Sequence, residues 1–224
     1  MTLRSFIDDV GTPDRTIAVV SDDAAGPLEG MLADTFDGQS IDVEPNATIP
    51  SEDRFAPEIV TALESGEDTA VLLKNGEPVA ASPMSALYES ILAINSDLFV
   101  TGTRGIGEIE FPDVLAGLAD TRLQLRGYPL AHKEKLLLII VSRYIEQLAW
   151  TADCGTLRSA FQQLSRLNDE IGTHDVYRKL ADTDVDVHVY GAEGGGTTDL
   201  DVTAHTGTDA EYRDGWFVVF DPND

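Results

Sequence analysis

Residues Gly155–Glu170 read GTLRSAFQQLSRLNDE. The apolar residues Leu157, Ala160, Phe161, Leu164 and Leu167 recur at three- and four-residue steps, the spacing of one face of a helix. On that reading the segment is an amphipathic helix. Arg158, Gln162, Ser165 and Arg166 then form a polar stripe with two guanidiniums along its other side. The stripe is open to two readings: a solvated face, or part of a recognition surface, since arginine forks suit carboxylate and phosphate.

Upstream lies LRGYPLAHKEKLLLIIVSRYIEQLAW, Leu125–Trp150. Its run LLLIIV, Leu136–Val141, is apolar around the whole circumference of a helix. This predicts a central buried helix over about 131–150. Leu137, Ile140 and Val141 are expected to pack there against strands that include Val187, Val189, Val218 and Val219. Arg143 shares a face with Leu136, Ile139 and Ile140, so burial obliges it to find a partner. Glu146, at i+3, is the nearest one.

Outward from these helices the pattern turns to strands. VDVHVYG (Val185–Gly191) and WFVVFDP (Trp216–Pro222) have the composition of buried strands, and LDVTAH (Leu200–His205) that of an edge strand. RTIAVVS (Arg15–Ser21), a helical pattern opened by Pro27, and SIDVEP (Ser40–Pro45) make a βαβ-like opening. TAVLLKNGEPVAASP (Thr69–Pro83) sets Asn75-Gly76 between apolar runs, a strong hairpin signal. DLFVTG (Asp97–Gly102) and TRLQLRG (Thr121–Gly127) are further candidate strands. No internal linker stands out. The expectation is an α/β fold: a single domain over 1–224, with a mixed β-sheet packed by helices.

The charge balance excludes some functions. Against 40 Asp+Glu stand 15 Lys+Arg, a net charge of −25. Nucleic-acid binding draws its affinity from cations that neutralise phosphates, so it is not expected. LLLIIV is too short to cross a membrane, and the acidic N-terminus does not resemble a signal peptide. A cytoplasmic protein is expected. The lone Cys154 rules out an internal disulfide and a cysteine-based zinc cage. His132, His174, His188 and His205 show no metal-ligand spacing. The loop GAEGGGTTD (Gly191–Asp199) lacks the lysine of a P-loop and the spacing of a dinucleotide fingerprint. No nucleophile–base pattern is present, so neither catalytic residues, nor a metal, nor a cofactor is expected.

The cations are unevenly spread. Between Arg122 and Lys179 nine cations outnumber six anions, so this segment is positive in a chain that is otherwise intensely acidic. Arg126, Tyr128, Lys133, Arg143, Arg158, Gln162 and Arg166 are the candidate ligand-binding residues, for a small anionic ligand or an acidic partner. The alternative is that each cation pairs with a carboxylate of its own chain.

DLFVTG, LRGYP, HKEKLLLIIVSRYIEQLAW, GTLRSAFQQLSRLNDEIGTHDVYRKLA, VDVHVYG and GWFVVF together resemble the DICT sensory domain, and in particular its stand-alone haloarchaeal members. The likeness is firmest over 97–191 and 215–220. It implies a non-catalytic α/β sensory module of signal transduction, with no catalytic or ligand residue to carry over. No cyclase, kinase or DNA-binding module is visible, so output is expected through a signalling partner or a homodimer. Two rival readings are a structural dimerisation domain without a ligand and an enzyme acting on a small anionic metabolite.

Only four of the 15 cations are lysines. An acid-rich, lysine-poor chain fits a cytosol of very high salt, where a Debye length of about 3 Å at 1 M screens self-repulsion. Cooperative folding is expected in multimolar KCl, with loss of the near-UV circular dichroism signal below a few tenths molar. An unchanged Tm between dilute buffer and about 3 M KCl would contradict the halophilic reading.

Overall fold

The computed structural model describes residues 14–21, 27–48, 55–95, 111–123, 131–169 and 171–223. The described residues of Val10–Ala93 and Phe111–Val141 form one compact unit, and those of Ser142–Asp224 belong to a second. Each unit carries a four-stranded mixed sheet packed by helices, so the α/β expectation holds with two sheets in place of one.

The first unit contains β1 (Arg15–Val20), α1 (Pro27–Phe36), β2 (Asp42–Glu44), α2 (Pro57–Leu63), β3 (Thr69–Lys74), β4 (Glu77–Pro83), α3 (Met84–Asn95) and α4 (Asp113–Ala116). The strand order is β2-β1-β3-β4, with β1 parallel to β2 and antiparallel to β3. The predicted hairpin is present. Asn75 and Gly76 both adopt positive φ, 52° and 79°, as a two-residue turn matched to strand twist requires. Ile17, Val19, Val71 and Leu72 are buried in this sheet.

Among the described residues, two ionisable side chains are buried here, Arg15 and Glu29. Arg15, 2% exposed, donates through Nη2 to Asp120 and through Nε to Thr121 Oγ1 at 3.3 Å. Lys74 Nζ reaches the other oxygen of Asp120 at 3.0 Å. Burial alone would raise the Asp120 pKa, but Arg15 and Lys74 outweigh it and hold the carboxyl below its usual range. Thr121–Leu123, the start of a predicted strand, is not extended into one; Asp97–Gly102 lies outside the described residues.

The helix α5 (Ala131–Ala152) matches the predicted central helix, and Leu137, Ile140 and Val141 are buried in it. The second unit continues with β5 (Thr156–Phe161), α6 (Arg166–Asp169), α7 (Ile171–Ala181), β6 (Asp186–Ala192), β7 (Thr203–Gly207), α8 (Ala210–Asp214) and β8 (Trp216–Asp221). The order is β7-β6-β5-β8. Strand β5 lies parallel to β6 and antiparallel to β8, and β7 is the parallel edge. On one face Leu157, Phe161, Val187 and Val189 pack with Tyr177 and Leu180 of α7. Ile145 and Ala149 of α5 join that core, beyond the LLLIIV run. Val218 packs there too, whereas Val219 lies on the opposite face, contrary to expectation.

The predicted helix over Gly155–Glu170 is not formed: its first half is the interior strand β5. Three local features account for this. Gly155 has φ 89°, and a Cβ there would meet the Asp221 carbonyl oxygen at 2.4 Å, so the chain turns tightly into the strand. Gln162 has φ 61°, which ends the strand sharply. Between them Leu157, Ser159 and Phe161 alternate inward, and the inward serine disguises the two-residue period.

Truncating Ile140, which is 1% exposed, to alanine should cost about 2–5 kcal/mol, as other large-to-small core changes do. Denaturant unfolding at fixed high salt measures it; a loss under about 0.5 kcal/mol would mean that the run is not core.

Candidate functional site

Strand alternation sorts the residues of the second sheet onto two faces with different chemistry. Inward, Ser159 is fully buried and accepts a 2.6 Å hydrogen bond from the hydroxyl of Tyr177, itself 0% exposed. Burial, and then the nearby Glu146 carboxylate, push the Tyr177 pKa well above the ordinary tyrosine value. Glu146, with its side chain 3% exposed, receives a 2.6 Å bond from Arg143 Nη1, and Arg143 Nη2 donates to Thr173 Oγ1 at 2.7 Å. The predicted Arg143–Glu146 pair is therefore present. Hydroxyls, guanidinium and carboxylate satisfy one another inside the core, as buried polar groups must.

Outward, the register places Arg158 beside His188 and Ala160 beside Tyr190 across β5 and β6. Tyr190 in turn lies beside His205 across β6 and β7. On the β8 side the neighbours are Val219 and Phe217. The imidazole of His205 stacks on the Tyr190 ring at 4.6 Å between centres and 13° between planes. Tyr212 of α8 and Phe217 flank Tyr190 at 6.4 and 6.1 Å. The Arg158 guanidinium bonds to the Tyr190 phenol; burial raises that phenol's pKa, and Arg158 partly offsets the rise.

The two imidazoles form a chain with Asp186. His188 Nε2 is 3.0 Å from Asp186 Oδ2, and His188 Nδ1 is 2.9 Å from His205 Nε2. A carboxylate only accepts, so Nε2 of His188 carries its hydrogen. Nδ1 of neutral His188 is then an acceptor, and His205 donates to it from Nε2. The lone pair of His205 is left on Nδ1. Burial lowers the His205 pKa, with His188 and Arg158 adding to the effect and Asp186 opposing it. Side-chain exposures of 20% for His188 and 64% for Asp186 leave that end of the cluster open to solutes, whereas Tyr190 is buried with Ala160 and Phe217.

The sequence-derived site residues fall in different places. Arg126 and Tyr128 lie outside the described residues, and Lys133 is described only as a residue of the first turn of α5. Arg143 faces the core. Arg158 is on the outer face. Gln162 donates to the Asp214 carbonyl at 3.3 Å, tying the end of β5 to α8. Arg166 is exposed at the start of α6. The stripe of Arg158, Gln162, Ser165 and Arg166 is not one face of a helix, because Arg158 stands on a strand. Sequence reasoning missed the pairing of His188 with His205. Its only signal was the outward alternation of Asp186, His188 and Tyr190 in VDVHVYG. Among the described residues, no group of three or more His, Cys, Asp or Glu is placed to hold a metal ion. Among the same residues no helix is long and apolar enough to cross a membrane.

Residues 113–224, half of the chain, match the family model described as the sensory domain in diguanylate cyclases and two-component system, DICT. No curated protein and no solved structure matches.

Replacing Glu146 with alanine should destabilise the chain by about 3–5 kcal/mol, because it strands a largely buried guanidinium. Replacing Arg143 and Glu146 together by methionine and leucine should recover most of that loss. Urea titrations of the single and double variants check this; equal losses would show that packing, not pairing, sets the cost.

Proposed function

Because this chain belongs to the DICT family of sensory domains, we propose that it reads its signal as a small oxyanion, bearing a carboxylate or phosphate group. The ligand binds on the outer face of the second sheet, and the occupied state is passed to a signalling partner. The observation that carries this reading is the convergence of Arg158, His188, Tyr190 and His205 from three adjacent strands. A guanidinium presents a fixed fork to two oxygens of one anion and keeps its charge when partly desolvated. Imidazole adds hydrogen-bonding groups beside the guanidinium, and the stack of His205 on the buried Tyr190 ring holds that imidazole in place. These groups stand on strands of the sheet, so the site is held rigidly.

The inner network supports signal transfer. The strand that carries Arg158 outward carries Ser159 inward to the Tyr177 hydroxyl of α7. A displacement of β5 by a ligand is thus felt by a helix on the opposite side of the sheet. Arg143 has no part in recognition on this reading, since it is engaged with Glu146 and Thr173.

Thermal-shift measurements with sulfate, small carboxylates and nucleotides at constant ionic strength test the proposal. At least one oxyanion should raise the Tm of the full chain in a concentration-dependent way. The Arg158→Gln variant should keep a Tm close to that of the wild type and lose the shift. Absence of any shift in the wild type, or an undiminished shift in Arg158→Gln, would overturn the assignment.

A further inference from the structure

We infer that oxyanion binding on this face takes up one proton, which is held by the His188–His205 pair. The inference rests on the proposed anion site and adds its regulation. With ring nitrogens 2.9 Å apart and ring centres 5.1 Å apart, the imidazoles meet edge to edge and share one hydrogen. His188 has no vacant nitrogen, since Asp186 engages Nε2 and His205 engages Nδ1. The next proton therefore goes to Nδ1 of His205. It breaks neither bond, and it turns an acceptor into a donor within reach of the Arg158 field. A second proton would have to sever the shared N–H···N contact, so uptake stops at one per site.

The groups around the pair set the direction. From β5 Arg158 disfavours the added charge, and from β6 Asp186 favours it. Tyr190 lies against the His205 ring, and Tyr212 of α8 lies beyond Tyr190. From β8 the residues of this face are Phe217 and Val219, neither of which ionises, and Asp221, which the register sets opposite Thr156. His205 is the only ionisable residue of β7. At rest, burial, His188 and Arg158 together hold down the proton affinity of His205. A bound oxyanion neutralises the repulsion from Arg158 and raises the proton affinity of His205. By linkage, a proton that helps the anion bind makes the anion bind more tightly as pH falls. The rise spans the interval between the proton affinities of the bound and empty pair, and is at most about tenfold per pH unit. Acidification at constant ligand concentration thus fills the site.

Sulfate is the probe, because its charge is constant between about pH 5.5 and 8, the range in which histidine titrates. Calorimetric titration of the full chain at constant ionic strength should show sulfate affinity rising up to about tenfold for each unit fall in pH. Repetition in buffers of different ionisation enthalpy should show uptake approaching one proton. His205→Gln keeps an N–H donor for His188 Nδ1 but cannot be protonated, so whatever sulfate affinity it retains should not vary with pH. Nitrogen-detected NMR of the wild-type histidines should show Nδ1 of His205 gaining its proton when sulfate is added. This readout stands even if the variant fails to fold. Sulfate binding without pH dependence, or a pH dependence retained in His205→Gln, overturns the proton coupling and leaves the anion site standing. No sulfate binding at any pH overturns the proton coupling, and the anion site falls as well when no small carboxylate or nucleotide shifts the Tm either.

Discussion

The inward placement of Ser159 is the constraint on which the second unit turns. A serine hydroxyl in the middle of an apolar sheet face has to be satisfied locally, and Tyr177 does so from α7. The bond fixes which way β5 faces: with Ser159 inside, Arg158 and Ala160 must stand outside. Every outward neighbour then follows by register, Arg158 against His188 and Ala160 against Tyr190. The buried pair of Arg143 and Glu146 lies within the same electrostatic neighbourhood, since Glu146 and Arg143 both act on Tyr177. Core polarity and surface chemistry are therefore two sides of one strand.

The two units use the same local solution. In each sheet an interior strand has a parallel neighbour on one side, β2 or β6, and an antiparallel one on the other, β3 or β8. Helices intervene before the parallel partner, as a crossover requires. What the units do with their cations differs. The first buries Arg15 against Asp120 and Thr121. The second pairs Arg143 inside with Glu146 and sets a further cation, Arg158, on its outer face. In a chain with 40 acids, a cation on an accessible face is a local inversion of the prevailing field.

Much of this was legible in the sequence, for identifiable reasons. Asn75-Gly76 announced its hairpin because few other pairs tolerate positive φ twice in succession. VDVHVYG and WFVVFDP announced strands through β-branched and aromatic composition. Arg143 announced Glu146 because i+3 neighbours on a helix cannot avoid each other. GTLRSAFQQLSRLNDE misled, since an inward polar residue whose partner comes from another element looks like a break in alternation. A helical period then fits by default. The histidine pair was hidden for a related reason. His188 and His205 are 17 positions apart and meet only through the parallel pairing of β6 with β7, which no local pattern specifies.

The position of β7 has a consequence for how the protein coexists with its own copies. A parallel edge strand offers unpaired backbone groups to any extended segment that approaches. Like charge repels such encounters in dilute buffer, but concentrated salt screens that repulsion. Geometry has to take over. β7 spans only five residues, and it ends at Gly207, where a Cβ would fall 2.5 Å from the Tyr212 ring of α8. The aromatic that flanks the outer cluster thus also packs over the face of the edge strand at its end. A larger side chain at position 207 would push that aromatic aside and loosen the packing that holds the short edge strand in its place.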